Sequence, residues 1–412
     1  MKIVFVNRFY APDQSATSRM LTDLARALAD EYPVHIVTSR LRSGDTATRF
    51  ASFEIDGNIV VHRVWTTRFG RDNLAGRTLD YATFCVTAWV TLIRLVRRED
   101  LVVAKTDPPL ITVPASWAAG LRGARLVNWI QDLFPEVASG LGVAVARGRI
   151  GRVLGRLRDG SLRGAAANVV IGKRMSERVA ALGVDARRIV VIPNWADGSV
   201  LKPATDGAGP LRETWGLGSA FVIGYSGNLG RVHDFETLLG AARVLRSHPG
   251  TRFLLIGDGA QKADLIEAIQ AGLPNVTLKP FQPVELLGQS LAAADVHIVT
   301  LRPELEGLVV PSKFYGIAAV GRPTIHIGDA NGEIGSIVRE AECGICVEQG
   351  DVTALVAAIA KLRDDPGLRE AMGRNARRVF EQRFDRPAAV AAWRALCGSL
   401  AREAATSDQR RR

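Results

Sequence analysis

The sequence predicts an α/β protein made of two doubly wound parallel sheets in tandem. Two observations carry this expectation. Short apolar runs alternate with helix-length amphipathic segments through almost all 412 residues, and the alternation restarts after one stretch that has neither period. In the first half the expected strands are 2–7, 33–38, 59–63, 101–105, 125–130, 167–172 and 189–192. The second series is 220–226, 252–257, 276–280, 296–300, 323–327 and 344–348. Between them, 197–217 is rich in Gly, Pro, Ala and Asp and reads as a linker. The expected domains are therefore 1–198 and 218–385, joined by a linker at 199–217. A last segment, 386–412, holds an amphipathic helix (387–401) and the polar, basic tail 407–412.

With 47% hydrophobic and 23% charged residues, the chain can bury two cores of ordinary size, which excludes disordered and collagen-like classes. Four cysteines in this length do not make a disulfide framework and fit a reducing compartment. Residues 1–6 open directly as an apolar strand with no leader, so a cytoplasmic location is expected. The net charge of +11 is unevenly spread: residues 1–200 carry 28 Lys and Arg against 18 Asp and Glu, residues 201–412 carry 25 against 24. A basic first half points to an anionic surface nearby, or to solubility alone. Nucleic acid is not expected as the partner, because no helix-turn-helix, zinc-finger or aromatic RNA-binding motif is present.

Two segments bear on membranes. The run 79–96 is about long enough to span a bilayer. Asp80, Arg94 and its interleaved Thr and Ala make it instead a buried helix ahead of the strand 101–105. In 147–163, Ile150, Val153, Leu154 and Leu157 fall at i, i+3, i+4 and i+7 among Arg149, Arg152, Arg156, Arg158 and Arg163. Two readings stand: a surface helix packed on the first sheet, or one that docks on an anionic membrane through Arg149, Arg152 and Arg156.

The first strand is followed by Asn7-Arg8-Phe9-Tyr10-Ala11-Pro12-Asp13-Gln14-Ser15-Ala16-Thr17-Ser18, without the glycines of a dinucleotide turn, so NAD is not expected there. Ser15, Thr17 and Ser18 stand before a helix expected over 19–29, which suits either an anion or a plain N-cap. The second half opens with Gly224-Tyr225-Ser226-Gly227-Asn228-Leu229-Gly230-Arg231-Val232-His233-Asp234-Phe235. Its glycines permit a tight strand-to-helix turn, and Arg231 adds a cation where phosphate would lie. Leu254-Leu255-Ile256-Gly257-Asp258-Gly259 is a second such turn. Then Glu304-Leu305-Glu306-Gly307-Leu308-Val309-Val310-Pro311-Ser312-Lys313 places two carboxylates and a lysine around one loop, a chemistry suited to sugar hydroxyls and phosphate. Cys343-Gly344-Ile345-Cys346 has no second pair and reads as structural, as do His35, His62, His297 and His326 in their strands.

In that order, Tyr225 to Gly230, Gly257-Asp258-Gly259, Val310-Pro311-Ser312-Lys313-Phe314-Tyr315-Gly316 and Gly321-Arg322-Pro323 resemble glycosyltransferase family 4, and within it the bacterial enzymes of colanic-acid, O-antigen and capsule assembly. Phe9 to Asp13, Thr106-Asp107-Pro108-Pro109, Gln131-Asp132-Leu133-Phe134-Pro135-Glu136 and Ile192-Pro193-Asn194 extend the resemblance over the first half. It implies the GT-B fold: two Rossmann-like domains facing a cleft, the first for the acceptor and the second for the nucleotide sugar, with a C-terminal helix crossing back to the first. It further implies retaining, metal-free transfer, here from a UDP-sugar to a polyprenyl-diphosphate-linked glycan at the inner face of the membrane, with no cofactor. By resemblance, Gly227, Asn228, Arg231 and His233 meet the diphosphate with Ser312 and Lys313, while Phe281 lies beside the base. Ser15, Thr17, Asp258 and Glu304 join the donor contacts, and Asp132 and Glu306 bracket the reacting sugar. The charge logic is that fixed cations and amides aimed at the leaving diphosphate can replace a metal.

Two departures stand out. The family's glutamate pair falls on Leu308 and Gly316 when Pro323 is matched, and Asn228 and His233 stand where many members have Arg and Lys, which leaves Arg231 as the compensating cation. Two other classes share much of this pattern: a GT-B nucleotide-sugar epimerase, and a non-catalytic two-lobed ligand-binding protein.

Overall fold

The computed structural model describes residues 1–13, 15–43, 45–70, 74–203 and 209–409. The chain divides into two compact units, one formed by Met1–Pro193 with Val390–Arg412, the other by Asn194–Ala389.

Among the described residues the first unit holds ten strands: β1 (Ile3–Val6), β2 (Val34–Ser39), β3 (Leu41–Arg42), β4 (Asp45–Arg49), β5 (Phe53–Asp56), β6 (Ile59–Val64), β7 (Leu101–Lys105), β8 (Arg125–Ile130), β9 (Ala167–Val170) and β10 (Ile189–Val191). Its helices are α1 (Ala16–Leu28), α2 (Leu74–Leu95), α3 (Thr112–Arg122), α4 (Glu136–Gly140), α5 (Ala144–Arg147), α6 (Arg149–Gly164) and α7 (Lys173–Ala181). Eight strands form one sheet in the order β10-β9-β8-β7-β1-β2-β6-β5, parallel except for β5. The central strands are apolar throughout because helices cover both faces; every residue of β1 and β7 is buried. The order reverses between β1 and β7, and that switch point is where the loops leaving adjacent strands diverge and open a crevice.

The second unit contains α8 (Gly209–Thr214), β11 (Phe221–Ser226), α9 (Glu236–Val244), β12 (Thr251–Ile256), α10 (Lys262–Gln270), β13 (Val276–Lys279), α11 (Leu287–Ala292), β14 (Val296–Thr300), α12 (Lys313–Ala319), β15 (Thr324–Ile327), α13 (Glu333–Glu340), β16 (Gly344–Val347), α14 (Val352–Asp364) and α15 (Pro366–Arg383). Its sheet, β13-β12-β11-β14-β15-β16, is wholly parallel, with its switch point between β11 and β14. The last helix, α16 (Arg386–Gln409), belongs to the first unit from Val390 onward. There Trp393 packs edge-on against Trp129, ring centres 4.9 Å apart, and Arg394 pairs with Glu31 at 2.8 Å.

Several local expectations change. The helix after β1 begins at Ala16 rather than residue 19, because Ser15 already caps it by accepting from Ser18 N. Helix α8 lies inside the expected linker, fastened by Arg212 to Asp295 at 3.3 Å, while 204–208 fall outside the described residues. The last helix runs on to Gln409, so the expected tail at 407 begins as helix, and 410–412 lie outside the described residues. The helix expected over 147–163 is α6, which begins two residues later at Arg149 after the short α5, and its apolar stripe is not its inner face. Gly151, Arg158, Ser161 and Leu162 turn inward, and Ile150, Val153 and Leu157 are 59, 52 and 42% exposed. Arg158, read as surface charge, is buried in a bidentate pair with Glu136 (2.6 and 3.0 Å). The reading in which the stripe packs on the sheet is therefore overturned. Among the described residues no helix is long and apolar enough to cross a membrane.

Candidate active site

In the second unit the site grows out of the switch point. The carboxyl ends of β11 and β14 release the loops that carry Gly227 and Leu301, and Lys313 opens α12 between them. Its ammonium contacts the Tyr225 hydroxyl, lies 3.8 Å from the centre of that ring, and stands 3.1 Å from His233 Nε2. A carbonyl oxygen can only accept, so the ring proton sits on Nδ1, which donates to Thr300 O at 2.6 Å, and Nε2 is the acceptor facing Lys313. Burial, with Lys313 adding to it, pushes His233 down to about 3, so it stays a neutral acceptor across the physiological range. Burial also holds Lys313 well below the ordinary lysine value. The Tyr225 hydroxyl donates onward to Asn228 O at 2.7 Å, fixing the turn above the lysine.

The glycines of this turn answer to space. A Cβ at Gly257 would lie 1.9 Å from Gly227 O, at a φ of +155° that side chains avoid. Gly257→Ala should therefore cost more than about 3 kcal/mol in urea unfolding and abolish ligand binding to this unit. A variant with unchanged stability would contradict the close approach.

Around this cluster, Asn228, Arg231 and Ser312 are exposed at the turn and before α12. Phe281, just after β13, is 55% exposed. Asp258 is exposed and committed to Lys262 Nζ and Gly259 N, each at 2.8 Å. The two glutamates separate: Glu304 lies in an exposed turn, whereas Glu306 is buried and accepts from Glu333 N at the start of α13 (3.1 Å). Burial pushes Glu306 up to about 7. Leu308 is buried, and a Cβ at Gly316 would meet Leu291 at 3.3 Å, so neither departure position stands ready for a carboxylate.

The first unit has its own polar cluster, again at the switch point. Lys105, at the end of β7, is fully buried, with its ammonium 4.1 Å from the Trp129 ring centre and donating to Thr17 O at 3.0 Å. The Thr17 hydroxyl donates to Asp107 Oδ2 at 3.0 Å. Asp132, just past β8, lines a small recess with Thr106, Pro109, Phe134 and Arg158. Burial and Asp107 push Asp132 up to about 6 against the pull of Lys105, and burial pulls Lys105 down to about 7. Among the described residues no group of three or more His, Cys, Asp or Glu is placed to hold a metal ion.

The structure thus brings Gly227, His233 and Lys313 together in one unit and Thr17 beside Asp107, with Lys105 coupled to Asp132, in the other. It sets Ser15 as a helix cap and Asp258 in a surface ion pair. Sequence reasoning gave no role to Tyr225, Thr300, Lys105 or Glu333. The one available signal was Lys105, a charge closing an otherwise apolar parallel strand.

Two α/β units, each with a polar cluster at its switch point, fit a two-domain glycosyltransferase of the GT-B type, and comparison with known proteins makes this definite. Residues 212–379 match the family described as glycosyl transferases group 1, and residues 15–195 match the glycosyl transferase 4-like domain. The chain is 28% identical over 374 residues to the putative colanic acid biosynthesis glycosyl transferase WcaI of Escherichia coli K12, covering 87% of this chain and 91% of that one. It is 29% identical over 278 residues to the probable glycosyltransferase WbjE of Pseudomonas aeruginosa, covering 66% and 68%. In fold it is similar to sucrose-phosphate synthase from Thermosynechococcus elongatus (TM-score 0.75, 18% identity, 97% and 99% covered). It is also similar in fold to Anabaena HepE crystallised with UDP (TM-score 0.71, 17% identity, 97% and 100% covered). The chain belongs to the family 4-like glycosyltransferases, and of the three classes the sequence left open it is the transferase.

Proposed function

We propose that this glycosyltransferase moves a hexosyl or N-acetylaminosugar unit, with retention, from a UDP-sugar to a polyprenyl-diphosphate-linked glycan during assembly of a bacterial surface polysaccharide. The reaction runs without a metal, in the cytoplasm at the inner face of the membrane. The observation that carries the donor side is the Lys313 ammonium held between Tyr225 and neutral His233 under the Gly227 turn. A cation fixed by groups that cannot neutralise it is suited to a diphosphate. Arg231 and the amides of Gly227 and Asn228 extend that field, Ser312 adds a hydroxyl, and Phe281 offers a face for the base. The UDP bound by HepE and the colanic-acid role in the name of WcaI favour the donor and the pathway class. Glu306 serves the sugar on the donor side with Glu304 at its margin, and Asp132 serves the acceptor side.

In the transfer, the bond from the anomeric carbon to the phosphate oxygen breaks ahead of attack, and the acceptor oxygen bonds to that carbon on the same face from which UDP leaves, which gives retention. The electron pair leaves with UDP, where Lys313 and Arg231 stabilise it, and the hydroxyl proton passes to Asp132. Arg149, Arg152 and Arg156 hold the chain at anionic lipid.

Calorimetric titration with UDP, GDP, ADP and NAD, with and without magnesium, tests the donor. UDP binding that needs no magnesium and weakens roughly tenfold in Arg231→Ala is expected. Preference for GDP or ADP would move the donor class, and binding of NAD alone would overturn the proposal.

A further inference from the structure

Among the described residues, the outer surface of one helical layer in the first unit is exposed and has an unusual composition. Helix α3 lies between α2 and α6 and packs against both. Phe84, Ala88 and Leu92 of α2 and Ala115, Ala118 and Ala119 of α3 face the sheet in one core. The opposite face carries Val86 (61% exposed), Trp117 (54%), Leu121 (69%), and the Ile150, Val153 and Leu157 stripe of α6. Among the described residues, twelve of the sixteen exposed large hydrophobics belong to this unit, and nine of those lie on this layer or in the segment leading into α2. Scattered exposed apolar residues need no explanation, but a concentration of them on one layer does.

The charges on the same helices have one sign. The three helices contain eight arginines and only two acidic residues. Neither acid faces out: Asp80 is fully buried, accepting from Thr67 Oγ1 and from the Phe69 and Gly70 amides, and Asp159 is held by Arg158 at 2.8 Å. Arg94, Arg122, Arg149, Arg152 and Arg156 are exposed between the apolar residues.

We infer that the whole α2–α3–α6 face is a bilayer-docking plane, in which the arginines meet anionic headgroups and Trp117, Leu121, Ile150, Val153 and Leu157 enter the headgroup–acyl boundary. This rests on the membrane-peripheral reading above and adds the surface and the mode of contact. Anionic lipid supplies both chemistries this face needs, at one depth and over an extended area. A protein partner would need an acidic and apolar surface matched residue by residue. The tryptophan is suited to the interface, having an apolar body and one polar N–H.

The test is co-sedimentation of the full-length protein with phosphatidylcholine vesicles, with and without phosphatidylglycerol. Binding should require phosphatidylglycerol and weaken in high salt. The triple change Arg149→Gln, Arg152→Gln, Arg156→Gln should lower partitioning about 100-fold. The double change Trp117→Ser, Leu121→Ser should lower it at least tenfold, while Ile266→Ser, on the second unit, should leave it unchanged. Equal recovery with both vesicle types, no recovery with either, or no effect of the Trp117 and Leu121 changes would overturn the plane. So would a dimer in lipid-free solution that those changes dissociate, since the face would then be a protein interface. Titrating UDP into the same samples keeps the two readings apart. Retained UDP binding without vesicle binding sinks this inference alone, and vesicle binding without UDP binding sinks the donor reading alone.

Discussion

Lys313→Met is expected to weaken UDP binding by roughly 30- to 100-fold while leaving the protein as stable as before, or more so, at neutral pH. The binding loss follows from removing a charge-assisted contact, worth roughly 2–3 kcal/mol. The stability effect follows from linkage. Burial holds Lys313 well below the value it has in the unfolded chain, so from that lowered value up to about 10 the unfolded state binds more protons. Wild-type stability should therefore rise with pH in that window, and the methionine variant should lose part of this slope. Methionine retains the apolar length that lies over Tyr225, and the Tyr225 hydroxyl keeps Asn228 O as its acceptor. Only His233 Nε2 loses its donor. A second signature belongs to the ammonium itself. A diphosphate arriving beside a lysine with a lowered pKa favours its protonation, so UDP binding at a pH between that lowered value and the ordinary lysine value should take up protons. The binding enthalpy would then depend on the buffer's ionisation enthalpy in the wild type and not in the variant. Unchanged UDP affinity in Lys313→Met would remove the lysine from the donor site.

What the sequence made legible, and what it did not, divides along burial. The parallel strands were readable because helices on both faces leave little room for anything but apolar side chains, as in Ile3–Val6 and Val296–Thr300. Strand β5 was not, because Phe53–Asp56 is exposed along its whole length and carries no burial pattern. Strands β3 and β4 form a small two-stranded antiparallel sheet apart from the main one. For α6 the periodicity was correct but its direction was not readable. An amphipathic stripe says that two faces differ, and not which one meets the protein; Arg158, satisfied by Glu136 and Asp159, took the inner side instead. Glycines and Lys313 could be recognised from their turn motif. Tyr225 and Thr300 could not, since their roles as partners of Lys313 and His233 arise only when β11 and β14 lie side by side.

The carboxylate of the first unit gives the other large effect. Asp132→Asn should lower sugar transfer by about 10²- to 10⁴-fold, the range for removing a positioned proton acceptor, with UDP affinity unchanged. The same variant should be more stable than wild type at pH 8 by roughly 1–3 kcal/mol and indistinguishable near pH 4. Asp132 is raised to about 6 in the folded protein, so its contribution is full at low pH and is lost as pH climbs from about 4 to about 6. Asparagine has no proton to lose. Lys105 works in the opposite sense: lowered to about 7, it disfavours the folded state at acid pH, and stability returns as pH rises from about 7 toward 10. The charged groups acting on it are Asp107, Asp132 and Asp23, so the two titrations belong to one network and their effects will not add. This coupling yields a sharper test. Because Lys105 pulls the Asp132 value down, Lys105→Met should move the rising limb of the transfer-rate profile to higher pH while leaving the plateau partly intact, an effect that loosened packing alone would not produce. UDP release from the donor that calorimetry selects, followed from pH 5 to 9 with a lipid extract as acceptor, reads both variants. If Asp132→Asn transfers at the wild-type rate, the acceptor proton does not leave through Asp132, and the departing phosphate of the donor becomes its acceptor.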